Sequence, residues 1–128
     1  MKNVWIVDDD EEMSRAMQLM LKMLGCTTTA FLGARLAAQT LLTGKRPDLM
    51  ILDINMPEVS GLDMLEFVRR RNEWNDLPII MLSTEAADVT VDKALTLGAD
   101  GYVSKPVTIE ELEKAINSAF HKHQKGLL

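Results

Sequence analysis

Five polar residues each stand at the end of a short apolar run, and together they could do chemistry on a phosphoryl group: Asp8, Asp9, Asp53, Ser83 and Lys105. A group of carboxylates suits Mg²⁺, which prefers oxygen ligands and keeps several of its waters. Three carboxylates in one place repel one another, so a cation must lie among them. An ammonium and a hydroxyl beside the metal would neutralise the charged oxygens of a phosphoryl group. The residue types therefore predict phosphoryl transfer, provided that the fold brings these residues together.

The elements that must position these residues alternate along the chain. Short apolar runs and, for the second strand, three successive threonines predict five strands, and helical spacing of apolar residues predicts a helix after each one. The predicted strands are 4–7, 26–31, 49–53, 78–83 and 101–104. Strictly alternating strands and helices predict an α/β fold with a parallel sheet covered by helices on both faces. Parallel strands place all their carboxyl ends at one edge, so all five polar residues should meet there.

The stretch Leu49–Gly61, LMILDINMPEVSG, contains the candidate nucleophile. Four apolar residues predict a strand that is buried on both faces and ends on the carboxylate of Asp53. Pro57 then stops the strand because proline has no N–H, and Ser60-Gly61 lets the chain turn into a helix. Asp8 and Asp9 share one strand end and resemble a metal-binding pair, so Asp53 is the predicted attacking group. From this stretch alone, an ordinary loop aspartate remains the alternative.

Composition restricts the class of protein. The chain has 128 residues, which fits one domain, and we expect that domain at 1–122 with a frayed tail at 123–128. No apolar run is long enough to cross a membrane and the start lacks a signal peptide, so we expect a cytoplasmic protein. The net charge of −5 argues against direct nucleic-acid binding. The single cysteine, Cys26, excludes an internal disulfide and is expected to be buried in the second strand.

Four motifs resemble the receiver domain of two-component response regulators: VDDD at 7–10, DINMPEVSG at 53–61, LST at 82–84 and KP at 105–106. The resemblance covers essentially the whole chain, with each motif at the expected strand end. It implies a doubly wound, flavodoxin-like five-stranded parallel sheet in the order 2-1-3-4-5, with five helices on both faces.

The resemblance also implies the chemistry of the site. Asp53 would accept a phosphoryl group from a sensor histidine kinase or a phosphotransfer protein. Asp9, Asp53 and the backbone carbonyl of Asn55 would bind Mg²⁺, and Asp8 would act on it through water. The domain would catalyse its own phosphorylation and dephosphorylation and no other reaction.

The same resemblance implies a switch. Lys105 would contact the phosphoryl group, Ser83 would move towards it, and Tyr102 would be the aromatic side chain that turns inward. These changes would alter the surface of helix four, strand five and helix five, which a downstream target or an effector domain would read. A phosphorylation-dependent homodimer is compatible with this surface. We expect no membrane partner.

Small departures from the common pattern concern the switch and the phosphoryl lifetime. Ser83 stands where threonine is frequent, and Val107 stands where an aromatic residue is frequent. Asn55 and Glu85 occupy the positions that tune hydrolysis of the acyl phosphate, and their pairing resembles the chemotaxis type. The sequence therefore predicts fairly fast self-dephosphorylation.

Three other functions remain open. Asp8-x-Asp10 after an apolar strand mimics the nucleophile motif of a phosphatase of the haloacid dehalogenase type, which would be labelled at Asp8 instead of Asp53. A flavodoxin-like electron carrier shares the sheet, but the acidic first loop is poorly suited to a flavin phosphate. An interaction module could keep the fold and never use the phosphate. The output also has two alternatives, a stand-alone receiver or part of a multidomain regulator such as a transcriptional one.

Some side chains are predicted to be exposed and receive no role in catalysis. On the first helix these are Ser14, Arg15, Gln18 and Lys22, and near the end of the chain His121 and His123. The two histidines lie two residues apart, on different faces of a helix, so a metal pair is not expected.

Overall fold

The computed structural model describes residues 2–84 and 88–124. Strands and helices alternate throughout. The strands are β1 (Asn3–Val7), β2 (Thr27–Phe31), β3 (Leu49–Asp53), β4 (Ile79–Ser83) and β5 (Gly101–Ser104). The helices are α1 (Glu11–Met23), α2 (Ala34–Leu42), α3 (Gly61–Arg69), α4 (Asp88–Thr96) and α5 (Ile109–Gln124).

The five strands form one parallel sheet in the order β2-β1-β3-β4-β5, which confirms the predicted fold. The sheet reverses its order between β1 and β3, and Asp53 ends β3 beside that reversal. No helix among the described residues is long and apolar enough to span a bilayer.

Alternate residues of β1, β3, β4 and β5 enter separate apolar cores on the two faces of the sheet, whereas β2 contributes only Phe31. In β1, Trp5 and Val7 pack with α2 and α3, whereas Val4 and Ile6 pack with α1 and α5. The central strands β3 and β4 are buried at all five positions, as expected for strands covered on both faces. The sheet is therefore held rigidly between two layers of helices, and the strand ends that carry the polar residues are fixed with it.

Side-chain caps fix several helix starts near the carboxyl edge. Asp10 caps α1 by accepting the N–H groups of Glu12 and Met13, and Ser60 caps α3 by accepting the N–H of Asp63. The sequence Thr108-Ile109-Glu110-Glu111 predicts a capping box at the last helix, and the Thr108 hydroxyl accepts the Glu111 N–H at 3.2 Å as such a cap requires.

Two predicted boundaries, the start of the fourth helix and the end of the domain, lie next to residues that the structure does not describe. The sequence predicted that the fourth helix begins at Ala86, which lies outside the described residues, as does Glu85; the described helix covers Asp88–Thr96. α5 continues to Gln124, two residues beyond the predicted domain end at 122, and residues 125–128 of the predicted tail lie outside the description.

Four expectations about exposure are wrong. Gln18 on α1 is half-buried instead of exposed. Ser14 is buried, because positions 14, 17 and 21 share the face of α1 that meets the sheet. Cys26 is half-buried and precedes β2 instead of lying within it. His123 is half-buried as well, with Nε2 3.0 Å from Asp100 Oδ2, whereas His121 is exposed as predicted.

Candidate functional site

Three carboxylates and one ammonium meet at the carboxyl edge of the sheet, as predicted. Ligand oxygens of Asp8, Asp9 and Asp53 all lie within 4.8 Å of one another. Lys105, which follows β5, places Nζ 3.3 Å from Asp8 Oδ2 and 3.6 Å from Asp53 Oδ1. Asp8 and Asp53 are buried and Asp9 is exposed. One cation thus faces two buried anions, with a third anion at the solvent side.

The two oxygens of Asp8 have different surroundings. Oδ1 accepts a hydrogen bond from the Asp10 N–H at 3.0 Å. Oδ2 is buried, faces Lys105, and has no hydrogen-bond partner among the described residues. A buried carboxylate oxygen without a hydrogen bond is costly unless a cation approaches it. The residues therefore fit a small hard cation such as Mg²⁺, because the donor set is oxygen only and its charge is not fully compensated.

Asp53 loses its proton at a higher pH than an ordinary aspartate. Burial and, next, the neighbouring Asp8 carboxylate raise the pKa of Asp53 to about 6, while Lys105 and the backbone N–H of Asn55 act in the opposite direction. A second cation beside these carboxylates would favour their ionised forms. Metal binding and ionisation of Asp53 are therefore expected to be coupled.

The other predicted residues lie on the neighbouring strands and in the loop after β3. Ser83, fully buried, ends β4 one residue beyond Leu82, the partner of Asp53 in the sheet, and its carbonyl accepts the Lys105 N–H at 2.8 Å. Asn55 is exposed in the loop after β3. Tyr102 lies in β5 opposite Met81 and packs, half-buried, against the core on the α2–α3 face. Asp10 is not part of the cluster, because its carboxylate caps α1.

Sequence reasoning gave Gly61 no role beyond a turn, but the residue sits directly behind Asp53. Its N–H donates to the Ile54 carbonyl at 2.9 Å. A Cβ at this position would overlap the Asp53 carbonyl oxygen and lie 2.8 Å from the carbonyl carbon. The first residue of α3 therefore packs on the backbone of the candidate nucleophile, at a distance that a larger residue does not permit. The signal in the sequence was a glycine placed eight residues after Asp53 at a helix start.

Comparisons with known proteins agree with this geometry. The family model described as "Response regulator receiver domain" matches residues 4–117. The chemotaxis protein CheY of Pseudomonas aeruginosa is 34% identical over 119 residues, covering 93% of this chain and 96% of CheY. Protein RcaC of Microchaete diplosiphon is 33% identical over 113 residues, which are 88% of this chain but 17% of RcaC. The chain thus spans nearly all of one relative and a small part of another.

A solved structure shows the same likeness. The chemotaxis protein CheY4 of Vibrio cholerae superposes with a TM-score of 0.84 at 28% identity, covering 93% of this chain and 98% of CheY4. The strand order, the acidic cluster at the carboxyl edge and the family match over residues 4–117 lead to one assignment. The chain belongs to the response regulator receiver domain family.

Proposed function

We propose that this receiver domain accepts a phosphoryl group on Asp53 with the help of Mg²⁺. The observation that carries the proposal is the placement of Lys105 Nζ between the buried carboxylates of Asp8 and Asp53, beside a buried oxygen that has no hydrogen bond. Bound Mg²⁺, held by Asp9, Asp53 and the Asn55 carbonyl with Asp8 acting through water, would neutralise charge on the transferring phosphoryl oxygens.

The residues of this chain perform the remaining steps. An oxygen of the ionised Asp53 carboxylate attacks phosphorus, the bond from phosphorus to the donor's imidazole nitrogen breaks, and an aspartyl phosphate forms. The donor is a sensor histidine kinase or a phosphotransfer protein. Lys105 holds its ammonium against the incoming phosphoryl oxygens, which replaces part of its pairing with the Asp53 carboxylate.

The proposed output follows from the new charge. Phosphorylation replaces the single negative charge of the ionised Asp53 carboxylate by about two negative charges on the phosphoryl oxygens, further out from the strand end. Ser83 lies on the neighbouring strand and would move towards it, and Tyr102, half-buried one strand further, would follow. The surface of α4, β5 and α5 would then differ between the two states and be read by a protein target or an attached effector domain.

A phosphatase of the haloacid dehalogenase type is the second candidate for the same carboxylates. A phosphatase of this type would use Asp8 as the nucleophile, and its Asp10 side chain would have to face the reaction centre. Here the Asp10 carboxylate accepts the N–H groups of Glu12 and Met13 at 3.0 and 3.2 Å. Because Asp10 is used as a helix cap, the structure favours Asp53 as the labelled residue.

Intact-mass spectrometry after incubation with acetyl phosphate tests the proposal. We expect the wild type to gain one phosphoryl group in the presence of Mg²⁺ and none after chelation. Asp53→Asn should gain none, whereas the control Asp63→Asn, which changes an exposed carboxylate on α3, should be labelled normally. Labelling that persists in Asp53→Asn and disappears in Asp8→Asn would support the phosphatase reading. No labelling of the wild type in any condition would leave an interaction module that does not use phosphate.

A further inference from the structure

A groove at the free edge of the sheet has no part in the proposed phosphoryl chemistry. It has a volume of about 510 Å³ and lies between the outer side of α1 and the start of β2, lined by Arg15, Gln18, Leu19, Lys22, Cys26, Thr27 and Thr28. We call it the β2-edge groove. Its β2 residues are at the amino end of the strand, whereas Asp53 stands at the carboxyl edge. A donor that reaches Asp53 would therefore approach the opposite edge of the sheet.

The backbone of β2 offers hydrogen bonds along this groove. Thr27 donates its N–H to Lys2 and Phe31 accepts from Asp8, so both residues turn their peptide groups towards β1. In a parallel ladder this orientation alternates, and Thr28 and Ala30 therefore direct both N–H and C=O away from β1. β2 is an outer strand of the sheet. These four groups form a template for one more strand.

The usual protections of an edge strand are missing from the sequence of β2. Its residues are TTTAF, without lysine, proline or any charge. Beside the strand, Leu19 on α1 is 65% exposed. Burial raises the pKa of the Cys26 thiol, with Asp48 as the second cause, so at neutral pH the thiol is an uncharged part of the groove wall. The edge of β2 thus combines the outward-facing peptide groups of Thr28 and Ala30 with the apolar side chains of Leu19 and Cys26.

The charge of the groove indicates what would bind there. The chain carries a net charge of −5, but among the described residues that line the groove Arg15 and Lys22 are cations and none is a carboxylate. The Arg15 guanidinium is 3.9 Å from Glu11, and both side chains are about two-thirds exposed, so this ion pair leaves Arg15 accessible. The complementary ligand is acidic and extended.

We propose that the β2-edge groove binds an extended peptide segment of a partner protein in which apolar and acidic residues alternate. The segment would add as a sixth strand, pairing with the peptide groups of Thr28 and Ala30. Its apolar side chains would cover Leu19 and Cys26, and its carboxylates would meet Arg15 and Lys22.

Amide hydrogen exchange on the full chain, without acetyl phosphate, tests the pairing. The probe is a short capped peptide of alternating valine and glutamate, and its counterpart replaces glutamate by lysine. The acidic peptide should slow exchange at Thr28 and Ala30 and leave Thr27 and Thr29 unchanged, because β1 already binds those two. The basic peptide should have no effect. Protection that is absent, or centred on another element, would overturn the proposal.

Matched variants test the contribution of backbone pairing and the contribution of charge separately. Thr28→Pro removes an outward N–H and keeps the bonds to β1, and should abolish binding, whereas Thr28→Val keeps the N–H and should bind normally. The double variant Arg15→Glu/Lys22→Glu should weaken binding on the order of tenfold. The control Lys93→Glu changes an exposed cation on α4 and should have no effect.

Two results would contradict the proposal even if a ligand binds at the edge of β2. Equal binding of the acidic and basic peptides would exclude the charge argument. A dimer that forms without peptide and is lost in Thr28→Pro would assign the edge to a second copy of the chain, in place of a partner's segment. Circular dichroism would establish that each variant is folded, and exchange in the wild type does not depend on any variant.

Discussion

The Asp53 carboxylate is buried next to the Asp8 carboxylate, although the proposed chemistry needs it ionised. Burial first, and then Asp8, raise its pKa to about 6 in the absence of metal. In the unfolded chain the group titrates near 4. Between these two values the folded protein binds a proton that the unfolded chain has released, so stability falls as the pH rises through this window.

This argument predicts a pH-dependent difference between the wild type and Asp53→Asn, which has no charge to bury. Without Mg²⁺ the two proteins should have similar free energies of unfolding near pH 4. Above pH 6 the variant should be more stable by up to about 3 kcal/mol, the equivalent of the shift in pKa. Urea unfolding of both proteins across this range measures the difference. A difference that does not change with pH would show that Asp53 titrates normally.

Bound Mg²⁺ should offset part of the destabilisation that the buried, ionised Asp53 carboxylate causes. Because the metal and the proton compete for the same carboxylates, Mg²⁺ affinity should decrease as the pH falls below about 6. The stabilisation of the wild type by Mg²⁺ should also exceed that of Asp53→Asn at pH 7. Thermal unfolding with and without the metal measures both effects. Equal stabilisation of the two proteins would place the metal away from Asp53.

At this scale the sequence predicted the residue types of the site well. Asp8, Asp53 and Lys105 could be placed together because parallel strands share one edge. The sequence could not show that Asp8 Oδ2 lacks a hydrogen bond, or that Asp10 caps α1 while Asp8 and Asp9 face the site. Those differences depend on side-chain directions at a turn, which spacing does not determine.

Among the elements, α3 packs directly on the backbone of Asp53, through Gly61. Gly61→Ala would force Cβ against the Asp53 carbonyl, and the strand end would have to move. We expect a loss of about 3 kcal/mol in the free energy of unfolding, as for severe overpacking. Phosphorylation by acetyl phosphate should slow as well, even in the folded fraction, because the nucleophile is displaced.

A matched control is Gly33→Ala, at the start of α2. A Cβ there meets no atom within 4 Å, and φ is −166°, which any residue adopts. Gly33→Ala should lower the free energy of unfolding by no more than about 1 kcal/mol. Urea unfolding and phosphorylation rates of the two variants separate close packing at Asp53 from a general effect of replacing glycine. Similar values for both would contradict the assigned role of Gly61.

The order and kind of all ten elements could be predicted from the sequence, because β1, β3 and β4 are apolar runs, the threonines of β2 favour a strand, and most helices have an apolar stripe. The rotation of α1 was predicted less well. The sequence predicted an apolar stripe at 13, 16, 17, 20, 21 and 24, and of these the helix buries Met17 and Leu21 fully, but it also turns Ser14 inward. A small side chain near the helix start lets α1 approach the sheet closely, and hydrophobicity alone does not indicate this.

Across the whole molecule, Asp100 joins elements at the edge of the sheet opposite the site. Its Oδ2 accepts the Ile79 N–H at 2.8 Å and an N–H from Arg69 at 3.0 Å, and lies 3.0 Å from His123 Nε2. Its carbonyl accepts from Lys122 Nζ at 2.7 Å. One residue thus connects the end of α3, the start of β4 and the last turn of α5. The prediction of a tail from 123 omitted this tertiary contact, since nothing in the local sequence shows it.

Asp100→Asn should therefore destabilise the protein strongly. The amide keeps the shape but removes a charge that faces Arg69 in a site where both side chains are 12–13% exposed. We expect a loss of about 3 kcal/mol. The control Asp76→Asn breaks a pair with Arg46 of the same 3.0 Å length, but Asp76 is 68% exposed, so it should cost about 1 kcal/mol or less. Urea unfolding compares the two, and equal costs would show that burial does not determine the strength of the Asp100 contact.

The position of Lys122 and His123 has a consequence for how the domain is cut and made. The family pattern ends at residue 117, before either side chain. A fragment designed to that boundary would keep every strand and every residue of the acidic cluster, yet leave Asp100 without its two contacts from α5. During translation the same contacts are the last of the described fold to form, because they cannot form until residue 123 has left the ribosome. A boundary after residue 124 preserves them.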